Sequence, residues 1–339
     1  MRITYRMMTA KYTTNLSNLS SELDKLNTQV ASGRKFAKTS DDTSSAIKAY
    51  QIRRDTAKVD DYQNNVGHAA DFLTNSETNL NDINATVSDA TVKILEGKNG
   101  TQSPESRKII ANELRVMQSQ LLDTLNSSVS GTYLYAGSKT AEKPFTLDTE
   151  GKLLYNKISV DSLDDSTPEL QKTLKDLKAD SLYVDVGLGL SVDAAGVVDK
   201  NSVFSYSIPG INIVGNGKTA DGGSNNLYNI LGDIATQFES GSFSSDTSDK
   251  IDKLFGQFQT ASSKSNQVTT EIGSKTNYLD FMKNRYDAQE LNLQTRQTAV
   301  EGINAAYTYI AFQTQKGAYQ AALQMGSSIV QSSVFDYMK

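Results

Sequence analysis

The sequence predicts a mainly α protein with a β-rich insert, built as long antiparallel coiled-coil or helical-bundle arms that run in from both termini. Three observations carry that prediction. Apolar residues recur at alternating spacings of three and four over residues 16–30, 59–94 and 251–310. Three of the four prolines and 11 of the 22 glycines fall within 141–245. Short runs of β-branched and aromatic residues lie in and around that same stretch. Breakers gather where loops and strands are, whereas a long seven-residue repeat marks helices that pack on one another.

The elements follow in order. Leu16, Leu19, Leu23, Leu26 and Val30 mark a first helix, and Gly33 is placed to stop it in a left-handed conformation. Thr39-Ser40-Asp41-Asp42 supplies capping residues for a second helix. Its stripe starts at Val59 and Tyr62, passes the polar Ser76 and ends at Ile94. Gly97 and Asn99-Gly100 close it, and Ser103-Pro104-Glu105 restarts a helix with Pro in its first turn. Ile110, Leu114, Met117, Leu121 and Leu125 form the third stripe.

The last arm carries the longest repeat. From Ile251 to Ile310 fourteen of eighteen positions are apolar. Sixty helical residues would span roughly 90 Å, longer than a compact domain needs. Gly256, Gly273 and Gly302 are predicted breaks or bends, each about 1 kcal/mol worse than Ala in a helix. Between the arms, strands are predicted at 132–135, 153–155, 182–184, 197–198, 203–206 and 211–214, with a hairpin turn at Asn216-Gly217. Short helices are predicted at 168–177 and through Leu227, Ile230, Leu231, Ile234 and Phe238. The division this suggests is a terminal domain (1–45 with 295–339), a bundle (46–145 with 245–294, including a β-hairpin near 132–145) and an outer insert (146–244).

Composition removes several functions. There is no Cys, so disulfides, Cys-based zinc sites and thiol nucleophiles are excluded. Thirty-four basic against 39 acidic residues give a net charge of -5, which lacks the footprint of a nucleic-acid binder. The longest apolar run is four residues, so no membrane-spanning helix is expected. Residues 1–8 hold no apolar core, so no cleaved signal peptide is expected. Gly217-Lys218-Thr219 imitates a phosphate loop, but Asn212 stands where the motif needs Gly. His68 is the single His and reads as an exposed helix position. Asp41-Asp42 reads as capping, not as an acid–base pair. Asp161, Asp164 and Asp165, or Asp246 and Asp249, read as solvated turns in preference to a loose cation site. Arg53-Arg54 is either a contact between subunits or a solvated face. No cofactor and no metal is called for, and an enzyme is the least supported class.

The first stripe is too narrow to stabilise its helix alone. The far end of the chain, with Tyr309, Phe312, Ala322 and Ile329, is the nearest cover. Pairing the two would still leave apolar sides open. Both termini are therefore expected to finish folding against neighbouring subunits. The expected subunit-interface residues are Leu16, Leu19, Leu23, Leu26, Val30, Ile303, Tyr307, Ile310, Tyr319, Leu323 and Phe335. The stripes at 59–94 and 251–282 are expected to form the chain's own core.

Arg2-Ile3-Thr4 opens the chain, and Ala31-Ser32-Gly33-Arg34-Lys35, Ser40-Asp41-Asp42, Ala46, Arg53-Arg54 and Tyr62-Gln63-Asn64-Asn65 follow in order. Ser332-Ser333-Val334-Phe335-Asp336-Tyr337-Met338-Lys339 closes it. This pattern resembles the flagellin superfamily over roughly 1–145 and 245–339. Residues 131–140, with Pro144-Phe145, are similar to a hairpin of the superfamily's hook–filament junction members. Val334 and Met338 stand where Leu is usual. The resemblance implies a non-catalytic structural protein without cofactors, exported through the flagellar type III channel to the cell exterior. Implied partners are a preceding hook-associated protein, flagellin, copies of itself in a ring, and an export chaperone on the C-terminal helix, with no nucleic acid and no membrane insertion. The terminal helices would form an inner tube, the other helices a middle layer and the insert an outer domain. A minor flagellin that forms filament is the first alternative, and a coiled-coil adapter or adhesin the second.

Overall fold

The computed structural model describes residues 2–164, 166–194, 196–219, 222–240 and 244–335. In chain order its helices are α1 (Arg2–Ser32), α2 (Thr43–Lys98), α3 (Pro104–Leu125), α4 (Pro168–Lys178), α5 (Ile211–Val214), α6 (Leu227–Glu239), α7 (Ser245–Glu301) and α8 (Ala305–Phe335). The strands are β1 (Ser128–Val129), β2 (Thr132–Tyr133), β3 (Phe145–Leu147), β4 (Leu153–Tyr155), β5 (Ile158–Ser159), β6 (Tyr183–Val184) and β7 (Phe204–Ser205). The chain forms two compact units, residues 1–60 with 287–339, and residues 61–286. None of the described helices is long and apolar enough to cross a membrane.

In the terminal unit, Gly33 adopts φ +69° and donates its N–H to the Gln29 carbonyl at 2.9 Å, ending α1 as its sequence predicts. Asp42 caps α2: its Oδ1 accepts the Ser45 N–H at 3.0 Å. Asp41 Oδ2 accepts the Lys38 and Ala37 N–H groups at 2.9 and 3.1 Å. Those bonds hold the Asp41 carboxyl below its ordinary value, and the Ser45 hydroxyl and amide do the same for Asp42. α7 runs through Gly256 and Gly273 without a break, so only Gly302 of the three predicted sites ends a helix. Burial of Phe258, Ile272 and Leu279 on either side outweighs the small penalty of a helical Gly.

In the middle unit the α2 and α7 stripes are sealed. Leu73, Leu80, Ile83, Ile94, Ile251, Phe258, Ile272 and Leu279 are fully buried. Their polar interruptions are used. Ser265 Oγ donates to Asn84 Oδ1 at 2.7 Å, and Asn84 Nδ2 donates to Thr269 Oγ1 at 3.0 Å, tying α2 to α7. The Ser76 carbonyl accepts the buried Tyr135 hydroxyl at 2.8 Å. Ser103 caps α3, with Pro104 at its start. α3 packs on α6, where Gln118 Nε2 reaches the Tyr228 carbonyl at 2.9 Å and Arg115 Nε reaches Glu239 at 2.9 Å. Buried Arg107 donates to the Gly97 and Asn99 carbonyls and satisfies the open end of α2.

The insert departs most from its sequence reading. The predicted strand at 132–135 shortens to β2, which pairs with β1 across a turn at Ser130 (φ +53°) and Gly131 (φ +80°). Leu134, Tyr135 and Ala136 are buried as loop instead. β3, β4 and β5 make an antiparallel sheet with Phe145 opposite Tyr155 and Leu154 opposite Ser159. β6 pairs with β7, Val184 opposite Phe204. Residues 211–214 are a helical turn, not a strand: Gly210 and Gly215 bracket them, and Ile211, Ile213 and Val214 are buried together. A four-residue apolar run does not reveal its period. At 197–198 only Val198 pairs, with Val192. Asn216-Gly217 is not the hairpin turn: the Gly217 N–H goes to the Val160 carbonyl at 3.0 Å, and the loop closes at Lys218 and Ser224. Asp161 is neither a solvated turn nor a cation ligand. It is buried and accepts Ser224 Oγ at 2.6 Å, Asn226 Nδ2 at 2.7 Å and Asn229 Nδ2 at 2.9 Å. Asp164 is bound by Ser166, Asp246 and Asp249 are exposed at the start of α7, and Asp165 lies outside the described residues. Among the described residues no group of three His, Asp or Glu could hold a metal.

Candidate assembly surface

α1 and α8 pack antiparallel in the terminal unit. Tyr12 Oη donates to the Ala322 carbonyl at 2.8 Å near one end, and the Ile303 N–H reaches the Gly33 carbonyl at 3.1 Å at the other. Leu16, Leu19, Leu23, Leu26 and Val30 continue the spacing from Tyr12 and are half-buried. α8 meets them with Thr308, Phe312, Gln315, Tyr319, Ala322 and Gly326, all buried or half-buried. At Gly326 a side chain would collide with the Tyr12 phenol and push it off the Ala322 carbonyl.

An adjoining side of α8 is uncovered. Tyr307 is 74% exposed and Ile310 65%, and Met325 continues the strip past Thr314 and Ala321. Tyr309 and Leu323 add exposed apolar surface on its flank, as do Met7 and Met8 on α1. The expected interface set thus divides. Leu16, Leu19, Leu23, Leu26, Val30, Ile303 and Tyr319 are half-buried within the chain, whereas Tyr307, Ile310 and Leu323 face solvent. Phe335 and the rest of the closing motif lie outside the residues whose side chains are described, as do residues 2–4. Sequence reasoning missed Tyr12, although it stands four residues before Leu16.

Where α1 and α7 end, the two breaks meet. Arg34 bridges Gly302, and the Lys35 N–H donates to the Glu301 carbonyl at 2.7 Å. Lys35 Nζ reaches the Ala299 carbonyl at 3.1 Å. Glu301, only 4% exposed, is gripped by Arg53 at 2.8 Å and by Arg34 at 3.6 Å. The hydrogen bond that Arg53 donates to Glu301 raises the Arg53 pKa above its ordinary value. Arg53 is therefore anchored within the chain although its side chain is 42% exposed, while Arg54 lies 3.8 Å from Asp55. Electrostatically the corner is a clamp. His68 is exposed on the rim of an open groove that Asp71, Asn75, Ser130 and Thr132 also line.

Residues 3–140 match the bacterial flagellin N-terminal helical region. Over 152 residues, 44% of this chain and 48% of the relative, the sequence is 30% identical to flagellar hook-associated protein 3 of Salmonella typhimurium. The chain spans about half the length of the curated relatives it matches. In fold it is similar to a protein described as flagellar hook-associated from Vibrio parahaemolyticus, with TM-score 0.60 and 19% identity over 77% of this chain and 100% of that one. It is also similar to flagellar hook associated protein-3 from Legionella pneumophila, with TM-score 0.57 and 13% identity over 74% and 98% of the two chains.

Proposed function

We propose, on the premise that this is a chain of the flagellin superfamily, that it is a structural subunit of the bacterial flagellum joining the hook to the filament. Copies would stand side by side in a ring, with a preceding hook-associated protein on one side and flagellin on the other. The observation that carries this reading is the bare strip Tyr307, Ile310 and Met325 on α8, beside the face that α1 covers. A large apolar side chain contributes about 1.5–3 kcal/mol when it leaves water. A helix with one apolar face satisfied and a second open is suited to a neighbouring subunit. In this reading the terminal domain (1–45 with 295–339) forms the inner tube, the bundle a middle layer and the insert the outside. The same bare strip, together with the expected uncleaved export to the cell exterior, gives an export chaperone its target on the C-terminal helix.

The test is reconstitution. Purified chain added to hook particles that carry the preceding hook-associated protein should allow flagellin to elongate from them, and Tyr307→Ser with Ile310→Ser should abolish this. A chain that by itself grows long filaments from seeds is a minor flagellin. A stable dimer that leaves hook particles unchanged is an adapter.

A further inference from the structure

The dipeptide Asn-Gly occurs twice in the chain, at 99–100 and at 216–217, and the fold treats the two pairs differently. In any Asn-Gly pair the Gly nitrogen can close a five-membered ring on the preceding side-chain amide, because no Cβ shields it. The reaction needs that N–H unbonded and the amide able to turn onto it. Asn216-Gly217 meets neither condition. The Gly217 N–H is donated to the Val160 carbonyl at 3.0 Å, Asn216 Nδ2 is donated to the Leu163 carbonyl at 2.7 Å, and Gly217 is buried. Asn99-Gly100 meets both. It lies in the turn between α2 and α3, and both residues are exposed. Among the described residues neither the Gly100 N–H nor Asn99 Nδ2 has an acceptor. Asn99 Oδ1, by contrast, accepts the Thr101 N–H at 3.3 Å and the Thr101 hydroxyl at 3.0 Å.

We propose that Asn99 is a site of spontaneous deamidation, that Asn216 is not, and that Thr101 promotes the reaction at Asn99. Hydroxide removes the Gly100 amide proton, and the nitrogen attacks Asn99 Cγ. The new N–C bond pushes the carbonyl electron pair onto Oδ1, where the two Thr101 donors already point. Donors fixed at the atom that gains charge lower the barrier. The electron pair then returns, Nδ2 takes a proton from water and leaves as ammonia, and a succinimide remains. Water opens that ring at either carbonyl and gives aspartate or isoaspartate, so that Asn and water become an acid and ammonia. The product is a new carboxylate at the carboxyl end of α2, where negative charge is ordinarily unfavourable. Arg107 offsets that here. It is buried, and its Nη2 holds the Asn99 carbonyl at 3.1 Å, so its guanidinium stands beside the new charge. The acidic product therefore accumulates without unfolding the middle unit.

The test holds the full chain folded in mildly alkaline buffer and maps its peptides by mass spectrometry over time, with isoaspartate marked by enzymatic methylation. The peptide containing Asn99 should convert steadily while the one containing Asn216 stays intact, and in denaturant the two should convert at similar rates. Gly100→Ala should stop conversion at Asn99 over the same period. Thr101→Ala should slow it several-fold and Thr101→Ser should restore it, with melting unchanged in all three variants. Equal conversion of the two pairs in the folded chain overturns the inference. So does an Asn99 that stays intact while denatured chain converts, or a rate indifferent to loss of the Thr101 hydroxyl.

Discussion

Gly33 holds φ +69°, a conformation that costs an L-residue roughly 1–2 kcal/mol. Gly33→Ala should loosen the α1–α8 pairing by about that amount, read as faster amide exchange in α1 with 61–286 unaffected. Glu301→Ala removes the acceptor shared by Arg53 and Arg34. Both arginines are about half exposed, so the expected loss in the terminal unit is about 1–2 kcal/mol, below that of a sealed pair. Asp42 gives a pH signature. Its folded-state pKa lies below the ordinary 3.8, so its stabilisation is present above about pH 4 and is lost as pH falls through that lower value. The Ser45 amide should exchange faster as acid removes the cap, and in Asp42→Asn that pH dependence should vanish. The cap was legible in the sequence because donor and acceptor lie three residues apart. The roles of Arg53, Arg107 and Asp161 were not. Arg53 and Asp161 find partners 248 and 63–68 residues away, and Arg107 reaches back across a turn whose open carbonyls no residue pattern announces.

At the scale of elements, α8 carries two apolar faces where α1 carries one. The seven-residue stripe that leaves α7 at Val300 continues in register through Ile303, Tyr307 and Ile310, so the sequence reads as one seam. Gly302 interrupts the helix, and α8 restarts with Thr308, Phe312 and Tyr319 turned toward α1. Periodicity therefore found the helix and its apolar residues, but which face would be covered was set by a break that rotates the phase. Leu19→Asp with Leu23→Asp should abolish the α1–α8 pairing and assembly while 61–286 melts as before. Loss of the main thermal transition in that variant would place α1 in the core of the middle unit. The helices with long repeats or clear caps were legible in the same way. The small strands were not, because runs of two or three residues are decided by what packs on them, as at Ile211–Val214.

The whole molecule combines a middle unit with a sealed core and a terminal unit whose long helices have one another for cover and apolar surface to spare. Local stability should follow that division, since exchange and proteolysis begin where few apolar contacts are buried. Protease acting on the purified monomer should trim both ends first and leave a resistant fragment close to 61–286. The central claim, that neighbouring subunits complete the folding of the termini, is tested most directly by amide exchange of α1 and α8 in dilute monomer and in assembled flagella. Rapid exchange in the monomer with strong protection after assembly is the predicted result, while full protection of both helices in the isolated chain would contradict it.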